Sequence, residues 1–301
     1  MNAVWSFWTK PYISARRSGW YSEWHHWLAW GLSVYAARQH YPNTYLITDD
    51  EGARILVDTL QLPFQHVSTA LNALRDKDPE WWALGKIAAY RRQKAPFVHV
   101  DADVFLWKPL APALEQADVF AQNPEHIIRG ASCYRPEELE RAIRESAGGW
   151  LPREWISYGR VPSPHAACCG IFGGCRLDFI RHYSDAAFKL VTGSQNRAAL
   201  RSLGGKDGHM ILVEQYLLTA CTEYHRHRGR SPYDQIEIRY VFDSMEDAFH
   251  PHRATAAGFT HLASDAKRSA QICHHLERRV QHSLPRHYER CMSYQNLLST
   301  A

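Results

Sequence analysis

The stretch Phe97-Val98-His99-Val100-Asp101-Ala102-Asp103-Val104-Phe105-Leu106-Trp107 carries the strongest structural and chemical signal in this chain. Four β-prone residues precede two aspartates separated by one small residue, which predicts a buried strand with two carboxylates at its tip. Side chains alternate along a strand, so Asp101 and Asp103 are expected on the same side. Two close carboxylates repel unless a proton or cation lies between them, and a hard divalent cation with phosphate oxygens suits such a pair.

Length and composition indicate a globular protein with one full core. The chain has 301 residues, of which 45% are hydrophobic and 22% are charged, and this predicts one α/β domain over residues 1–301. The aromatic content is high, with 11 Trp and 15 Tyr. Such rings often line carbohydrate or nucleotide clefts, and many others are simply half-buried.

The net charge indicates which binding partners to expect, and the cysteine content indicates the cellular compartment. The net charge is +4, but the basic residues are scattered and no nucleic-acid motif occurs, so we expect no nucleic-acid partner. Seven cysteines, with Cys168 and Cys169 adjacent, argue against a secreted disulfide framework. We find neither a signal-peptide pattern nor an apolar run of about 18 residues. A cytoplasmic protein without a membrane span is the expectation.

Strand-like and helical patterns alternate in the first half of the chain, which predicts βαβ units in a mostly parallel sheet. The predicted elements there are strand 4–8, helix 23–39, strand 44–48, helix 52–60, strand 64–67 and helix 81–92. In the second half they are strand 118–122, helix 136–146, loop 148–164, helix 177–191, a mobile segment 193–208 and helix 209–224. We expect a nucleotide-binding half, 1–104, and an acceptor and donor-sugar half, 105–301.

Residues that follow the predicted strands are further candidates, because ligands of open α/β sheets bind at the carboxyl ends of the strands. Trp8, Thr9 and Lys10 follow the first strand, and Asp49 follows the second. The indole could stack on a base, and the carboxylate could accept a hydrogen bond from uracil or ribose. Turn formation and helix capping explain Asp49 equally well.

The segment from Trp82 through Lys86 to Asp101 and Asp103 resembles the core of GT-A-fold, Asp-x-Asp-containing glycosyltransferases, including glycogenin-like and capsular-polysaccharide-type relatives. The resemblance implies a Rossmann-like sheet flanked by helices, with an irregular acceptor-side half. It also implies that Asp101 and Asp103 hold Mn²⁺ or Mg²⁺ against the diphosphate of a nucleoside-diphospho-sugar, and that Lys86 faces this donor. The alternative for Lys86 is a solvated position on a helix.

A second segment, Cys169-Gly170-Ile171-Phe172-Gly173-Gly174, resembles the stretch that lines the donor-sugar pocket in many of these enzymes. The resemblance makes Gly173 and Gly174 candidate donor contacts, since glycines let backbone amides approach a ligand. A tight turn explains them equally well. Cysteine at Cys168 and Cys169 departs from the usual residues of the family.

A third segment, His261-Leu262-Ala263-Ser264-Asp265-Ala266-Lys267, is similar in spacing to the His-x-x-Gly-x-x-Lys of glycogenin-like retaining transferases, with Ser264 where glycine is usual. The resemblance implies that His261 is a third metal ligand and that Lys267 contacts the diphosphate. The chemistry agrees, because imidazole suits manganese and an ammonium neutralises phosphate charge.

Two polar pairs complete the candidate site. Glu214 and Gln215 lie in an otherwise apolar helix and are candidate catalytic residues facing donor or acceptor, since an unpaired buried carboxylate is costly. Gln122 and Asn123 end a predicted strand and are candidate sugar contacts.

The leading hypothesis is a metal-dependent hexosyltransferase that uses a nucleoside-diphospho-sugar, with UDP-sugars the first choice. The acceptor is an unknown glycan, peptide or small molecule, and the His261 motif favours retention of configuration. One alternative is a catalytically silent sugar-nucleotide or glycan-binding protein of the same fold. A haloacid-dehalogenase-like phosphatase also uses Asp-x-Asp, but Phe105 and the position of the motif along the chain count against it.

No structural zinc site is expected, because no CxxC pair or matched His/Cys spacing occurs. The residues considered for one were Cys168, Cys169, Cys175, His225, His227, His250, His252, His274 and His275.

Overall fold

A computed structural model describes residues 1–15, 19–127, 135–146, 148–226, 228 and 230–300, so that His227 lies outside the described residues. The chain forms two compact units. The first unit comprises Met1–Arg75, Val98–Leu110 and Pro251–Ala301, and the second comprises Asp76–Phe97 and Ala111–His250. These units differ from the expected halves, 1–104 and 105–301, because the C-terminal segment packs with the N-terminal one.

Most strands of the described residues are short and buried. They are β1 (Asn2–Phe7), β2 (Thr44–Thr48), β3 (His66–Ser68), β4 (Phe97–Val100), β5 (Val104–Leu106), β6 (Val119–Ala121), β7 (Pro124–His126), β8 (His165–Ala167), β9 (Ile171–Gly174), β10 (Ile238–Tyr240) and β11 (Phe259–His261).

Seven strands form a mostly parallel sheet in the order β10-β6-β9-β4-β1-β2-β3. In the first unit β1 pairs in parallel with β2, and β2 with β3. In the second unit β10 pairs in parallel with β6, which is antiparallel to β9. Two small antiparallel sheets, β5 with β11 and β7 with β8, complete the pairing. The α/β class with a mostly parallel sheet is therefore confirmed.

Helices flank the sheet. They are α1 (Thr9–Ala15), α2 (Glu23–Ala37), α3 (Asp50–Ala53), α4 (Leu84–Arg91), α5 (Pro112–Glu115), α6 (Pro136–Glu145), α7 (Arg153–Tyr158), α8 (Leu177–Thr192), α9 (Arg197–Ser202), α10 (Lys206–Ile211), α11 (Leu217–Arg226), α12 (Met245–Phe249), α13 (Pro251–Ala257), α14 (Ala270–Ser283) and α15 (Pro285–Thr300). Segments Arg54–Thr59 and Leu212–Tyr216 are π-helical, and Ala70–Leu74, Ser194–Asn196 and Ser264–Arg268 are 3₁₀ turns.

Two predicted irregular segments are helical instead. The loop expected over 148–164 contains α7, and the mobile segment expected over 193–208 contains a 3₁₀ turn, α9 and the start of α10. Pro152 immediately precedes α7, where proline starts a helix rather than breaking one. Short helices bounded by Gly and Pro have too few turns to show a clear helical period in the sequence.

Tryptophans serve mainly as core residues rather than as cleft lining. The buried ones are Trp5, Trp8, Trp20, Trp27, Trp30, Trp81 and Trp155. In the first unit α2 is apolar on most of its surface and contacts α14 and α15, as expected for a helix enclosed on several sides. Burial accounts for these seven, of which Trp8 also lines a cavity.

Candidate functional site

Asp101 and Asp103 lie on a turn rather than on an extended strand. Strand β4 ends at Val100 and β5 begins at Val104, and the amide of Val104 donates to the carbonyl of Asp101 at 3.0 Å. The argument from strand alternation is therefore wrong for these two residues. The Ser33 hydroxyl holds the turn by donating to the same carbonyl at 3.0 Å.

The pairing of β5 with β11 brings a distant part of the sequence to this turn. His261 pairs with Val104 in the antiparallel register. The ladder continues past it, because the amide of Leu262 donates to the carbonyl of Asp103 at 2.9 Å. Backbone hydrogen bonds thus position the His261 segment beside the second aspartate.

Asp103 contacts both candidate residues of that segment. Its Oδ2 lies 2.6 Å from Nζ of Lys267, and its Oδ1 lies 3.6 Å from Nε2 of His261. Between them, Ser264 has a φ of 47°, in the left-handed region that favours glycine. The residue that departs from the glycine of the similar motif therefore still adopts a glycine-like conformation.

Two further histidines surround the turn. His99 Nε2 is 2.9 Å from the Ser6 hydroxyl, and its Nδ1 is 3.7 Å from Asp101 Oδ1. Burial, together with the charge of Lys267, lowers the pKa of His26 to about 3, and Asp103 opposes this shift. His26 is therefore neutral at physiological pH and leaves the charge balance to Asp103 and Lys267.

Asp103 and His261 form an oxygen and nitrogen pair that suits a divalent cation. Neighbouring ligands on octahedral Mg²⁺ lie about 3 Å apart, so a small closure of the 3.6 Å gap would place both atoms on one ion. Asp101, Asp103 and His261 do not form a set of three ligand atoms all within 4.8 Å in the described part of the chain. The pair nevertheless fits an ion that takes its other ligands from phosphate and water, as Mg²⁺ does.

A cavity of about 370 Å³ lies at the carboxyl ends of β1 and β2, within the first unit. It is lined by Trp8, Thr9, Lys10, Ile13, Ser14, Asp49, Asp50, Glu51, Leu71, Asn72 and Arg75. The four residues expected at these strand ends are thus together.

Asp49 has a structural role in this cavity. One carboxylate oxygen accepts from both the amide and the hydroxyl of Thr9, at 2.9 and 2.8 Å, and the other accepts from the amide of Gly52 at 2.8 Å. Asp49 therefore caps α3 and ties it to the end of β1. Lys10 Nζ donates to the carbonyl of Arg75 at 2.8 Å.

In the second unit, Lys86 and Glu214 form a buried ion pair. Lys86 Nζ lies 2.8 Å from Glu214 Oε1 and 3.1 Å from the carbonyl oxygen of Cys169. Tyr90 donates to the same carboxylate oxygen at 2.8 Å. Glu214 is 0% exposed, so Lys86 supplies the charge compensation that its burial requires. The solvated alternative for Lys86 is therefore wrong.

Gln122 and Asn123 directly follow β6 and are both buried. Their backbones bond to Cys168, because Gln122 N donates to Cys168 O and Cys168 N donates to Asn123 O, each at 2.9 Å. Asn123 Oδ1 accepts no hydrogen bond from any described residue. Gln215, next to Glu214, lies in the π-helical turn and is partly exposed.

Close packing accounts for both glycines of β9. A Cβ on Gly173 would lie 2.0 Å from the carbonyl oxygen of Phe97, and one on Gly174 would lie 2.1 Å from that of Asp118. Gly174 also has a φ of +146°. The tight-turn and packing interpretation thus explains these residues without a ligand.

One group of potential metal ligands in the second unit was not predicted from the sequence. It is formed by Glu154, His182 and Cys221, and His225 lies beside Glu154 and His182. Glu154 lies on α7, inside the stretch expected to be a loop. Cys221 and His225 are four residues apart on one helix, and this spacing was the available signal, since it places both on one face.

Comparison with protein families identifies a match over nearly the whole chain. Residues 1–294 match the model of DUF6734, described as a family of unknown function. A search of curated proteins found no match. Among the described residues, no helix has the length and apolarity needed to cross a membrane. Because the match spans nearly the whole chain, this protein belongs to the DUF6734 family.

Proposed function

We propose that the protein is a metal-dependent glycosyltransferase that transfers a sugar from a nucleoside-diphospho-sugar to a glycan, peptide or small-molecule acceptor. The observation that carries the proposal is the contact of Asp103 with both His261 and Lys267. Lys267 is 164 residues away from Asp103 in sequence, and the resemblance to GT-A enzymes assigns metal or diphosphate contacts to these same residues.

The residues around the turn would have different roles in the reaction. Asp103 and His261, with Asp101, would hold Mn²⁺ or Mg²⁺. When bound, the ion would neutralise the charge of the diphosphate leaving group. Lys267 would exchange its contact with Asp103 for one with the diphosphate, and its ammonium would then stabilise the charge that develops as the sugar leaves.

The cavity at the ends of β1 and β2 supports a place for the nucleoside part of the donor. Its volume of about 370 Å³ lies within the range of small-molecule sites, about 300–1,000 Å³. Trp8 is only 6% exposed, so recognition there would depend on polar groups such as Lys10 and Asp50 rather than on broad ring stacking. Six cysteines of the described residues are free thiols, which supports a cytoplasmic location as part of the same proposal.

A binding protein without transferase activity is the second candidate. Two ion pairs favour it. Lys267 Nζ lies 2.6 Å from Asp103 Oδ2, and Lys86 Nζ lies 2.8 Å from Glu214 Oε1. Such a protein would bind the nucleotide sugar without breaking its bond to the sugar.

The test is release of nucleoside diphosphate from a panel of nucleotide sugars, with Mn²⁺ or Mg²⁺ and mixed acceptors. We expect release with one donor, loss of release in Asp103→Asn, and a reduction of about 100-fold in Lys267→Met. NMR of the product reports whether the anomeric configuration is retained.

Matched controls come from the same 3₁₀ turn. Asp265 and Arg268 are exposed neighbours of the site residues, and Asp265→Asn and Arg268→Met should leave release unchanged. Equal loss in site and control variants would contradict the proposal. Donor binding without turnover by wild type would favour the silent protein, and hydrolysis of phosphomonoesters would favour a phosphatase.

A further inference from the structure

A second group of metal-ligand side chains lies in the second unit. We call it the His-Glu-Cys cluster, formed by Glu154 on α7, His182 on α8, and Cys221 and His225 on α11. The proposed transferase chemistry uses none of these residues.

Three ligand atoms of the cluster form a small triangle. Glu154 Oε1 is 3.0 Å from His182 Nε2 and 3.5 Å from His225 Nε2, and the two nitrogens are 3.3 Å apart. Ligands at 2.0–2.1 Å from a tetrahedral Zn²⁺ are about 3.3 Å from one another. The triangle therefore has the dimensions of one face of a zinc coordination sphere.

The imidazole rings are held in orientations that suit ligation. The Ser231 hydroxyl lies 2.7 Å from His225 Nδ1. In the tautomer in which Nδ1 donates its proton to this hydroxyl, Nε2 has a lone pair that can bind a metal. Ligating histidines commonly use their second nitrogen in this way. Tyr233 packs against both rings, with centroids 5.3 Å from His182 and 5.2 Å from His225.

Cys221 supplies a fourth donor on the same helix face as His225. Its Sγ and the ligand atoms of Glu154 and His182 all lie within 4.8 Å of one another. A thiolate ligand selects zinc over magnesium or manganese. With the thiol proton released to solvent, the carboxylate and thiolate would balance the two positive charges of the ion.

The site is enclosed but reachable. The side chains of Glu154 and His225 are each 12% exposed, while that of His182 is 34% exposed and provides the entry side. Because α11 contacts both α7 and α8, an ion held here would tie three helices of the unit together.

We propose that the His-Glu-Cys cluster binds one Zn²⁺ per chain through Glu154, His182, His225 and Cys221, and that the ion stabilises the second unit. The proposal stands apart from the transferase activity. Loss of sugar transfer leaves it intact, and loss of zinc binding leaves the Asp103 site intact.

The experiment uses full-length protein that has been stripped with a chelator, dialysed and titrated with Zn²⁺, with metal content measured by mass spectrometry. We expect one tightly bound equivalent and a rise in the melting temperature. Changing a residue that only hydrogen-bonds to a metal ligand costs about 10–100-fold in affinity, so we expect His225→Gln and Glu154→Gln to weaken binding at least 100-fold. Co²⁺ substitution should give visible bands of tetrahedral intensity and a sulfur-to-metal charge-transfer band.

Controls separate this site from others. His126→Gln, Cys175→Ser and Asp103→Asn should keep the equivalent of zinc. Circular dichroism checks folding, and His182→Gln serves as a partly exposed variant that retains the buried packing. No stoichiometric zinc in wild type, or undiminished binding in His225→Gln and Glu154→Gln, would overturn the site. Persistence of the charge-transfer band in Cys221→Ser would overturn the assignment of sulfur as the fourth ligand.

Discussion

Replacing Lys86 by methionine should strongly destabilise the second unit. The substitution keeps most of the aliphatic stem and removes the ammonium that lies 2.8 Å from Glu214 Oε1. Glu214 is 0% exposed, and its Oε2 accepts no hydrogen bond from the described residues. In the variant, the buried carboxylate of Glu214 would lose the ammonium and keep the hydrogen bond from the Tyr90 hydroxyl.

The expected loss is about 3–4 kcal/mol. Two unit charges 2.8 Å apart attract by about 6 kcal/mol at an effective dielectric constant of about 20. Part of this is offset because Lys86 no longer has to be desolvated. Removing one partner of a buried pair costs about 3–5 kcal/mol in measured cases, and the retained hydrogen bond from Tyr90 places this pair at the lower end.

The assay is urea unfolding followed by far-ultraviolet circular dichroism and by tryptophan fluorescence. With a slope of about 2 kcal/mol per molar urea, the midpoint should fall by about 1.5–2 M. Lys189→Met is the control, since Lys189 is exposed and sits 4.1 Å above the Trp150 ring, a contact worth about 0.5–1 kcal/mol.

A double variant tests the physical reason. Lys86→Met combined with Glu214→Gln removes both charges, so its loss should be smaller than the sum of the two single losses by at least about 2 kcal/mol. A loss below about 1 kcal/mol in Lys86→Met, with additive single effects, would refute the buried pair. Lys86 would then be available for the ligand contact that the sequence resemblance implied.

Three other predictions concern the first unit. Gly31→Ala should lower the free energy of unfolding by about 3 kcal/mol or more, because its Cβ would lie 2.0 Å from His287 Nε2; Gly204→Ala, with nothing within 4 Å, is the control in the same urea assay. Burial lowers the pKa of His287 from 6.5 to about 4. Neutral His287 therefore contributes about 3 kcal/mol to the free energy of unfolding above pH 6.5, and this contribution is lost as the pH falls toward 4. His287→Gln should reduce the dependence of stability on pH between 6.5 and 4, and an unchanged dependence would contradict the prediction. Ser264→Gly should keep or raise stability, whereas Ser264→Val should lower it by about 1–2 kcal/mol, since φ is 47° there; equal melting temperatures for both variants would disprove the strain.

Local patterns predicted some elements well. The strand expected over 44–48 coincides with β2, and the helix expected over 23–39 corresponds to α2. Both elements are apolar along most of their length, so neighbouring residues carry the information. The helix α7 was missed because its six residues are too few to show a helical period.

The candidate residues were found by type and spacing, but several of their roles came from packing. Asp49 caps α3, and Lys86 neutralises Glu214. The cap made by Asp49 is local, because Gly52 is three residues further along the chain, and capping is one of the roles that the sequence predicted. The partner of Lys86 cannot be read from the sequence, because Glu214 is far from Lys86 along the chain. A buried charge near its opposite is a tertiary contact, and the same side chains in isolation suit a ligand equally well.

The sequence alone determined the α/β class, the two aspartates after β4, and the spacing of His261 and Lys267. Each depends on residues close together in the chain, where backbone geometry limits the choices. Tertiary structure decided that β11 pairs with β5 and brings Lys267 to Asp103, and that α7, α8 and α11 bring Glu154, His182 and His225 together. These contacts depend on how distant elements bury their apolar faces, a property of the whole fold that no local pattern contains.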